Sequence, residues 1–448
     1  MKSFLLVFGF VVSLHVATAC EPEENLTWET ARKTLQPYTG PSAQGLDVST
    51  LHGKVVVGYQ GWFATPNDGG PIGWKHYQFG AKEPMPGKIC IDFWPDLTEF
   101  DEDETCATKL VHADGTPARV FSSRNPKTVN RHFQWMKQYG IDAAFVQRFA
   151  HEVSSSPNHF ENSCQVLANC RAGANRNGVG YIVMYDLSGL PANSIQKVKD
   201  DWKMLVDEMK LTRDPKDKAY LHQGGKPLVA VWGVGFKPSS EKDRAYTLAE
   251  CAELVEFFQT DPTYGGCSVM LGVPTGWRTG TRDSVDDPSF IELIKRCQVL
   301  SPWTPGRYRN PEEVTKHAAT YWKPDFEWCK ANKIDYLPVT FPGFSWHNKK
   351  TEAKSDAIPR LKGKFLWQQY YEISNIGIPM AYQAMFDEMD EGTQIFKVTS
   401  NPPQGAPFVT YEGLPSDFYL KLVGQAGKMM RREIPLSAEL PDFPQVAK

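Results

Sequence analysis

One feature constrains this fold more than any other. A short run that is apolar through its length alternates with a stretch of helical periodicity, along nearly the whole chain. Eight such runs can be read: 55–62 (VVVGYQGW), 142–149 (DAAFVQRF), 180–187 (GYIVMYDL), 227–234 (PLVAVWGV), 267–273 (CSVMLGV), 297–303 (CQVLSPW), 336–342 (YLPVTFP) and 380–388 (MAYQAMFDE). A strand apolar on both faces is buried on both, as in a parallel sheet flanked by helices. Between the runs, 126–139 (PKTVNRHFQWMKQY) sets Val129, Phe133, Trp135 and Met136 near one helical face, and Gly140 ends it. The stretches 194–211, 247–259, 311–332 and 355–375 behave alike. Eight repeats of strand then helix predict an α/β chain closed into a (β/α)8 TIM barrel, rather than an open sheet. With 448 residues, 41% of them hydrophobic, the chain can bury one such core and carry insertions.

The longest insertion follows the first strand, at about 64–125, and holds CIDFWPDLTEF and ARVFSS, which suit a small β excursion. Loops after barrel strands overhang the face where barrels do their chemistry. The organisation expected is a signal peptide at 1–19, an N-terminal arm at 20–50, the catalytic barrel at 51–425 and a tail at 426–448. Lys2, an almost wholly apolar 4–16 and the small residues Ala17-Thr18-Ala19 carry the signal-peptide reading, hence a secreted protein. That apolar run is short for a bilayer span, and no later stretch reaches the roughly 18 apolar residues a span needs. Cys20, first after the cut, admits lipid anchoring in a bacterial host. Asn25-Leu26-Thr27 is a glycosylation sequon. Nine cysteines fit an oxidising compartment, with Cys164 and Cys170 across a short loop, and Cys90 and Cys106, as candidate disulfides. There is no CxxC pair, so a structural zinc site is not expected. The 49 basic and 52 acidic residues leave a net charge of −3, which argues against a nucleic-acid partner. The chain is expected to act as a monomer.

Barrel catalysis sits at the C-terminal ends of strands. Those ends present Tyr59, Gln60 and Trp62; Gln147 and Arg148; Tyr185 and Asp186; Trp232; Trp277 and Arg278; Trp303; Trp346 and His347; and Asp387, Glu388, Asp390 and Glu391. Asp92, Trp94 and Asp96 in the insertion add groups suited to sugar hydroxyls. Aromatics, amides and one dense acidic group, with no Cys–His pair and no multi-histidine set, suit a neutral, hydroxyl-rich ligand such as an oligo- or polysaccharide. Each also has a plain structural alternative: core packing for Tyr59 and Trp62, internal pairing for Arg148, a solvated turn for the acids. Four acids within five positions push one another's pKa values apart, so that one can serve as acid while another stays ionised. Glycoside cleavage needs that division of labour. Other signatures fail. After His151-Glu152, Ser155 stands where a zinc protease has its second histidine, and no G-x-S-x-G or G-x-x-x-x-G-K occurs. The run Asp101 to Glu104 lacks EF-hand spacing.

GYQGWF at the first strand and FDEMDEGTQI at the last resemble glycoside hydrolase families 71 and 99, and HFQWM, DAAFVQRF and YDLSG support the relation, over about 55–397. Family 99 endo-α-mannosidases carry a Trp-Asn-Glu-Trp-His-Glu-Gly-Thr segment, whose glutamates fall on Glu388 and Glu391 and whose last pair falls on Gly392 and Thr393. The resemblance implies a barrel that cleaves α-linked sugars with retention, without metal or organic cofactor. It implies Glu388 as the base that deprotonates the sugar's own 2-hydroxyl, and Glu391 as the acid/base. Phe386-Asp387 and Met389-Asp390 depart from the family pattern, which leaves the sugar open. A non-catalytic carbohydrate-binding barrel, or an α-glucanase or arabinose- or xylose-releasing enzyme, remains an alternative.

Overall fold

A computed structural model describes residues 26–240 and 243–443. The signal peptide, Cys20 and Asn25 of the sequon lie outside the described residues. All eight expected strands form, as β1 (Val55–Tyr59), β2 (Ala143–Phe149), β3 (Gly180–Asp186), β4 (Lys226–Trp232), β5 (Ser268–Pro274), β6 (Val299–Trp303), β7 (Asp335–Tyr336 and Val339–Thr340) and β8 (Ala381–Gln383). Neighbours pair in parallel from β1 through β6. Pro338, with no N–H to donate, interrupts β7. Its first half pairs with β6 and its second half with β8, and β8 pairs with β1, so the sheet closes on itself.

Eight helices follow the eight strands: α1 (Pro126–Gln138), α2 (Pro157–Asn177), α3 (Ile195–Asp207), α4 (Leu248–Thr260), α5 (Pro288–Ile294), α6 (Pro311–His317, continued by Lys323–Ala331), α7 (Lys364–Ile376) and α8 (Phe418–Met430). Four begin alike, with Asn125, Ser156, Asp287 or Asn310 capping the first turn and proline at the first helical position. The cap oxygen takes an orphan backbone N–H, and proline has none to leave unpaired. Inside α6, Pro324 cannot donate to the turn before it, and the helix widens into a π turn at Ala318–Trp322. The division expected at 425 falls inside α8, which is buried through Met430. The insertion forms a hairpin of Thr105–Val111 with Pro117–Phe121.

The side chains of each strand alternate between two cores. Val56, Ala143, Phe145, Ile182, Met184, Leu228, Ala230, Met270, Val299 and Tyr382 fill the barrel's interior. Val55, Val57, Tyr59, Ala144, Val146, Tyr185 and Val231 pack outward under the helices. Both sets are apolar because both faces are covered. The interior is tight: a Cβ on Gly58 would lie 1.9 Å from Met385 Sδ. The expected disulfides do not form. Cys164 and Cys170 are both free, and so are Cys90 and Cys106. Cys164 and Cys170 do not flank a loop but share α2. Six residues along a helix set them about 9 Å apart on different faces, beyond the roughly 7 Å between Cα atoms that a disulfide spans. The Cys90 thiol instead donates to the His76 carbonyl. The eight described cysteines are all thiols. Titration in guanidinium without reductant should therefore count at least eight, and a count of four or five would show bridges after all.

Candidate active site

Alternation along the strands decides which end residues reach the barrel mouth. Continuing the interior series, Gln60 follows Val56 and Gly58, Gln147 follows Phe145, Asp186 follows Met184, and Trp232 follows Ala230. Their neighbours face the other way. Tyr59 is fully buried under α1, its hydroxyl 2.9 Å from His132 Nδ1. Arg148 is buried against α3, where Nε and Nη2 lie 2.6 and 2.5 Å from the Asp201 carboxylate. Tyr59 and Arg148 are therefore structural, not part of a substrate surface. Trp277 and Arg278 likewise turn from the mouth, donating to Asp325 at 3.1 and 2.7 Å.

The acidic segment after β8 holds four carboxylates in four different environments. Asp387 is fully buried and accepts the backbone N–H groups of Gln60 and Gly61 at 2.8 and 2.9 Å. Both its oxygens are used to join the ends of β8 and β1, so it does not face a ligand. Burial pushes its carboxyl up to about 7 despite those two bonds. Glu388 takes a hydrogen bond from Gln60 Nε2 at 2.6 Å on one oxygen and from the Thr393 hydroxyl on the other. Burial first, then the nearby Glu391 and Asp390 charges, raise its pKa well above the usual carboxylate range. Asp390 is fully buried, with His76 Nδ1 and Lys349 Nζ each 3.1 Å from one oxygen. Burial acts to raise its pKa, but His76 and Lys349 outweigh burial and hold it low, so it stays ionised. Glu391 keeps 31% of its side chain exposed and lies 3.5 Å from Lys349 Nζ. Burial raises its pKa, Lys349 pulls it back, and Asp390 adds to the rise.

Backbone shape makes this segment possible. Gly392 has φ +67°, and a Cβ there would sit 2.7 Å from the Ser345 nitrogen. The Ser345 N–H donates to the Glu391 carbonyl at 2.9 Å, seating the loop after β7 against the acids. Asp92, fully buried, holds that same loop: it accepts from the Ser345 hydroxyl and from the backbone N–H groups of His347 and Asn348 at 2.8 and 2.7 Å. Its role is thus to clamp the loop that carries Lys349, not to meet sugar hydroxyls. His347 Nδ1 donates to the Ala353 carbonyl, 2.6 Å away, and Trp346 packs on Phe344 with Lys350 over its ring. Trp94 is 2% exposed and lies with Asp96, Phe100 and Arg119 along a separate cleft of about 610 Å³ between the insertion and Thr399 and Asn401.

Two walls face one another across the mouth. On the β8–β1 side stand Glu388, Glu391 and Gln60, with Trp62 stacked between His76 at 4.0 Å and Phe149 at 5.3 Å. Opposite, Trp232 on β4 meets Trp303 on β6 edge-on at 5.2 Å over Gly272, where a Cβ would strike the Trp232 ring at 2.4 Å. Gln60 Oε1, Gln147 Oε1 and Trp232 Nε1 are buried and have no partner among the described residues. Asp186 accepts the Ser188 N–H on one oxygen, which leaves the other available. The mouth, with Trp62 Nε1 likewise unpartnered among the described residues, therefore offers acceptors and two indole donors to hydroxyl groups. Among the described residues, no three His, Cys, Asp or Glu side chains converge as a metal cage. Lys349 and His76 were not singled out by sequence: each is a lone residue on a loop, and only the fold sets it beside the acids.

No family model and no curated protein sequence matches this chain. Solved structures do. The chain is similar to a GH99 endo-alpha-mannosidase from Bacteroides thetaiotaomicron, with a TM-score of 0.62 and 17% identity over 86% of this chain and 99% of that one. A second structure of that enzyme, in complex with bis-tris-propane, gives 0.60 and 17% over the same shares. A glycoside hydrolase-like protein gives 0.50 and 13% over 88% of this chain and 98% of its own. The likeness spans nearly all of each chain and establishes a shared barrel fold.

Proposed function

We propose that this protein is a secreted glycoside hydrolase that cleaves an α-linked glycan with retention. The observation that carries the reading is the pair Glu388 and Glu391: the Glu391 charge adds to burial in raising the pKa of Glu388, at the mouth of a barrel shared with an endo-α-mannosidase. Coupled acids of this kind hold one proton between them over a range of pH. The first step uses the form with Glu388 ionised and Glu391 protonated; in the free protein burial and the Glu391 and Asp390 charges favour the proton on Glu388, so the bound sugar has to shift it. Glu388 removes the proton of the sugar's 2-hydroxyl, the freed oxygen forms a bond to C1, and the C1–O bond to the leaving group breaks. Glu391 gives its proton to the departing oxygen. In the second step Glu391, now a carboxylate, takes a proton from water as the water attacks C1. The C1–O2 bond opens, and O2 recovers the proton from Glu388. Two inversions leave the anomeric configuration unchanged, and no enzyme nucleophile is required, an exception to the usual two-carboxylate scheme.

Each supporting group has a task in this reading. Gln60 and Thr393 hydrogen-bond the ionised form of Glu388 and fix its direction. Gln147, Asp186 and Trp232 meet the neutral hydroxyls of the sugar. The leader-like first 19 residues support an extracellular substrate.

The test is a hydrolysis screen over α-linked glycans with the mature protein, wild type beside Glu391→Gln. Release by the wild type and none by the variant is the expected result, and it names the substrate. Equal release by both would remove Glu391 from the chemistry and sink the reading. Sugar retention without any release would replace it with the carbohydrate-binding alternative.

A further inference from the structure

Lys349 is the one cation whose nitrogen contacts both Asp390 and Glu391 among the described ion pairs. It comes from the loop after β7, which Asp92 clamps in place. We infer that Lys349, held by the ionised Asp390, is a positioning residue that makes Glu391 a stronger acid in the first step and stabilises its carboxylate in the second. The inference rests on the acid/base role proposed for Glu391.

The geometry gives the reason. Lys349 Nζ stands 3.1 Å from Asp390 and 3.5 Å from Glu391, with two-thirds of its side chain buried. Asp390 is also held, at the same oxygen, by His76, itself stacked on Trp62. The ammonium therefore cannot follow Glu391 freely, and Glu391 feels a cation whose place is set by other residues. When Glu391 gives up its proton, a negative charge appears beside that cation, and the cation need not move to meet it. Preorganised charge of this kind lowers the barrier because no reorganisation accompanies the reaction.

Every charged group facing Glu391 can be placed. Glu388 and Asp390 come from its own loop, Lys349 from the loop after β7, and His76 from the insertion, with the Cys90 thiol behind Asp390 and Lys349. Lys75 and Glu152 pair with each other beyond His76. Of these, Lys349 alone favours the ionised form of Glu391, and Asp390 opposes it. The two substitutions must then act with opposite sign. Lys349→Met removes the favourable cation, so Glu391 holds its proton to higher pH. Asp390→Asn removes an opposing charge and frees Lys349, so Glu391 loses its proton at lower pH. An opposite charge this close moves a carboxyl by about 1 to 3 pH units, and partial exposure of Lys349 puts the effect near the lower end.

The experiment is carboxyl NMR titration of the full mature protein with 13C-labelled glutamate, the Glu391 signal being assigned by its loss in Glu391→Gln. The Glu391 midpoint should rise by about one unit in Lys349→Met, fall in Asp390→Asn and stay near the wild-type value in Lys349→Arg. If turnover is followed as well, the alkaline limb of kcat/KM should move with those midpoints. An unmoved midpoint in Lys349→Met overturns the inference, as would equal upward shifts in Lys349→Met and Lys349→Arg. Lys349 is partly exposed, so its variants remain informative even if Asp390→Asn does not fold. The titration needs no turnover, so the two ideas fail separately. Sugar release with fixed midpoints removes the coupling alone. Shifted midpoints with no release from any glycan remove the hydrolase reading, and with it the catalytic part of the inference.

Discussion

Glu388→Gln should lower kcat about a thousandfold on the glycan that the wild type cleaves, with KM changed only a few-fold. The substitution keeps the shape of the side chain, and the amide can still bond to Thr393. What it removes is the negative charge that takes the 2-hydroxyl proton. Positioned proton transfer contributes roughly 10² to 10⁴ in rate, and loss of a group acting mainly in the transition state appears in kcat. A kcat within tenfold of the wild type would mean that Glu388 is not the base. Stability should move in the opposite direction. Burial and the neighbouring charges raise the folded-state pKa of Glu388 above the value of 4.5 for a free glutamate. The favourable contribution of such a group is complete at pH below that value and is lost as pH rises toward the folded pKa. The amide has no charge to bury. Glu388→Gln should therefore unfold at a higher temperature than the wild type above about pH 5, and the gap should widen toward pH 8. A gap that narrowed as pH rose would contradict the pKa direction.

The second large effect concerns stability alone. Arg148→Met should cost about 3 to 5 kcal/mol in urea unfolding. Arg148 and Asp201 are each 3% exposed at the side chain, and the Tyr185 hydroxyl also donates to Asp201 at 2.6 Å. Without the guanidinium, Asp201 remains a buried carboxylate with only Tyr185 as a donor. Removing both charges relieves that conflict, so Arg148→Met with Asp201→Leu should recover much of the loss. A single-variant cost below about 1 kcal/mol would show that water reaches the pair.

These two residues also show how far the sequence carries. All eight strands were legible because burial on both faces leaves long apolar runs. The same burial hides the alternation that would separate Gln147 from Arg148, or Gln60 from Tyr59, since neither face is marked by polar residues until the strand ends. Counting by twos from an interior residue such as Ala143 would have assigned them. Glu388 and Glu391 stood out through their spacing and their Gly-Thr neighbours. The tasks of Asp92 and Asp387 could not be read, because their partners are backbone N–H groups more than 250 and 320 residues away in the chain. The expected Cys164–Cys170 bridge failed for a local reason: α2 was read as a loop, although Ser156-Pro157 marks its start.

The Asp387 bond to Gln60 and Gly61 has a consequence in time as well as in space. It ties the first strand of the barrel to the last, and the proposed reacting pair lies just beyond it. A chain made from its N-terminus exposes Gln60 328 residues before it receives Glu388. Until the ring closes, Glu388 lacks the amide that aims it, and neither glutamate has the neighbour that tunes it. In the proposed reading, a chain that lacks those residues is silent toward glycans, and competence arrives as the ring closes rather than growing with length.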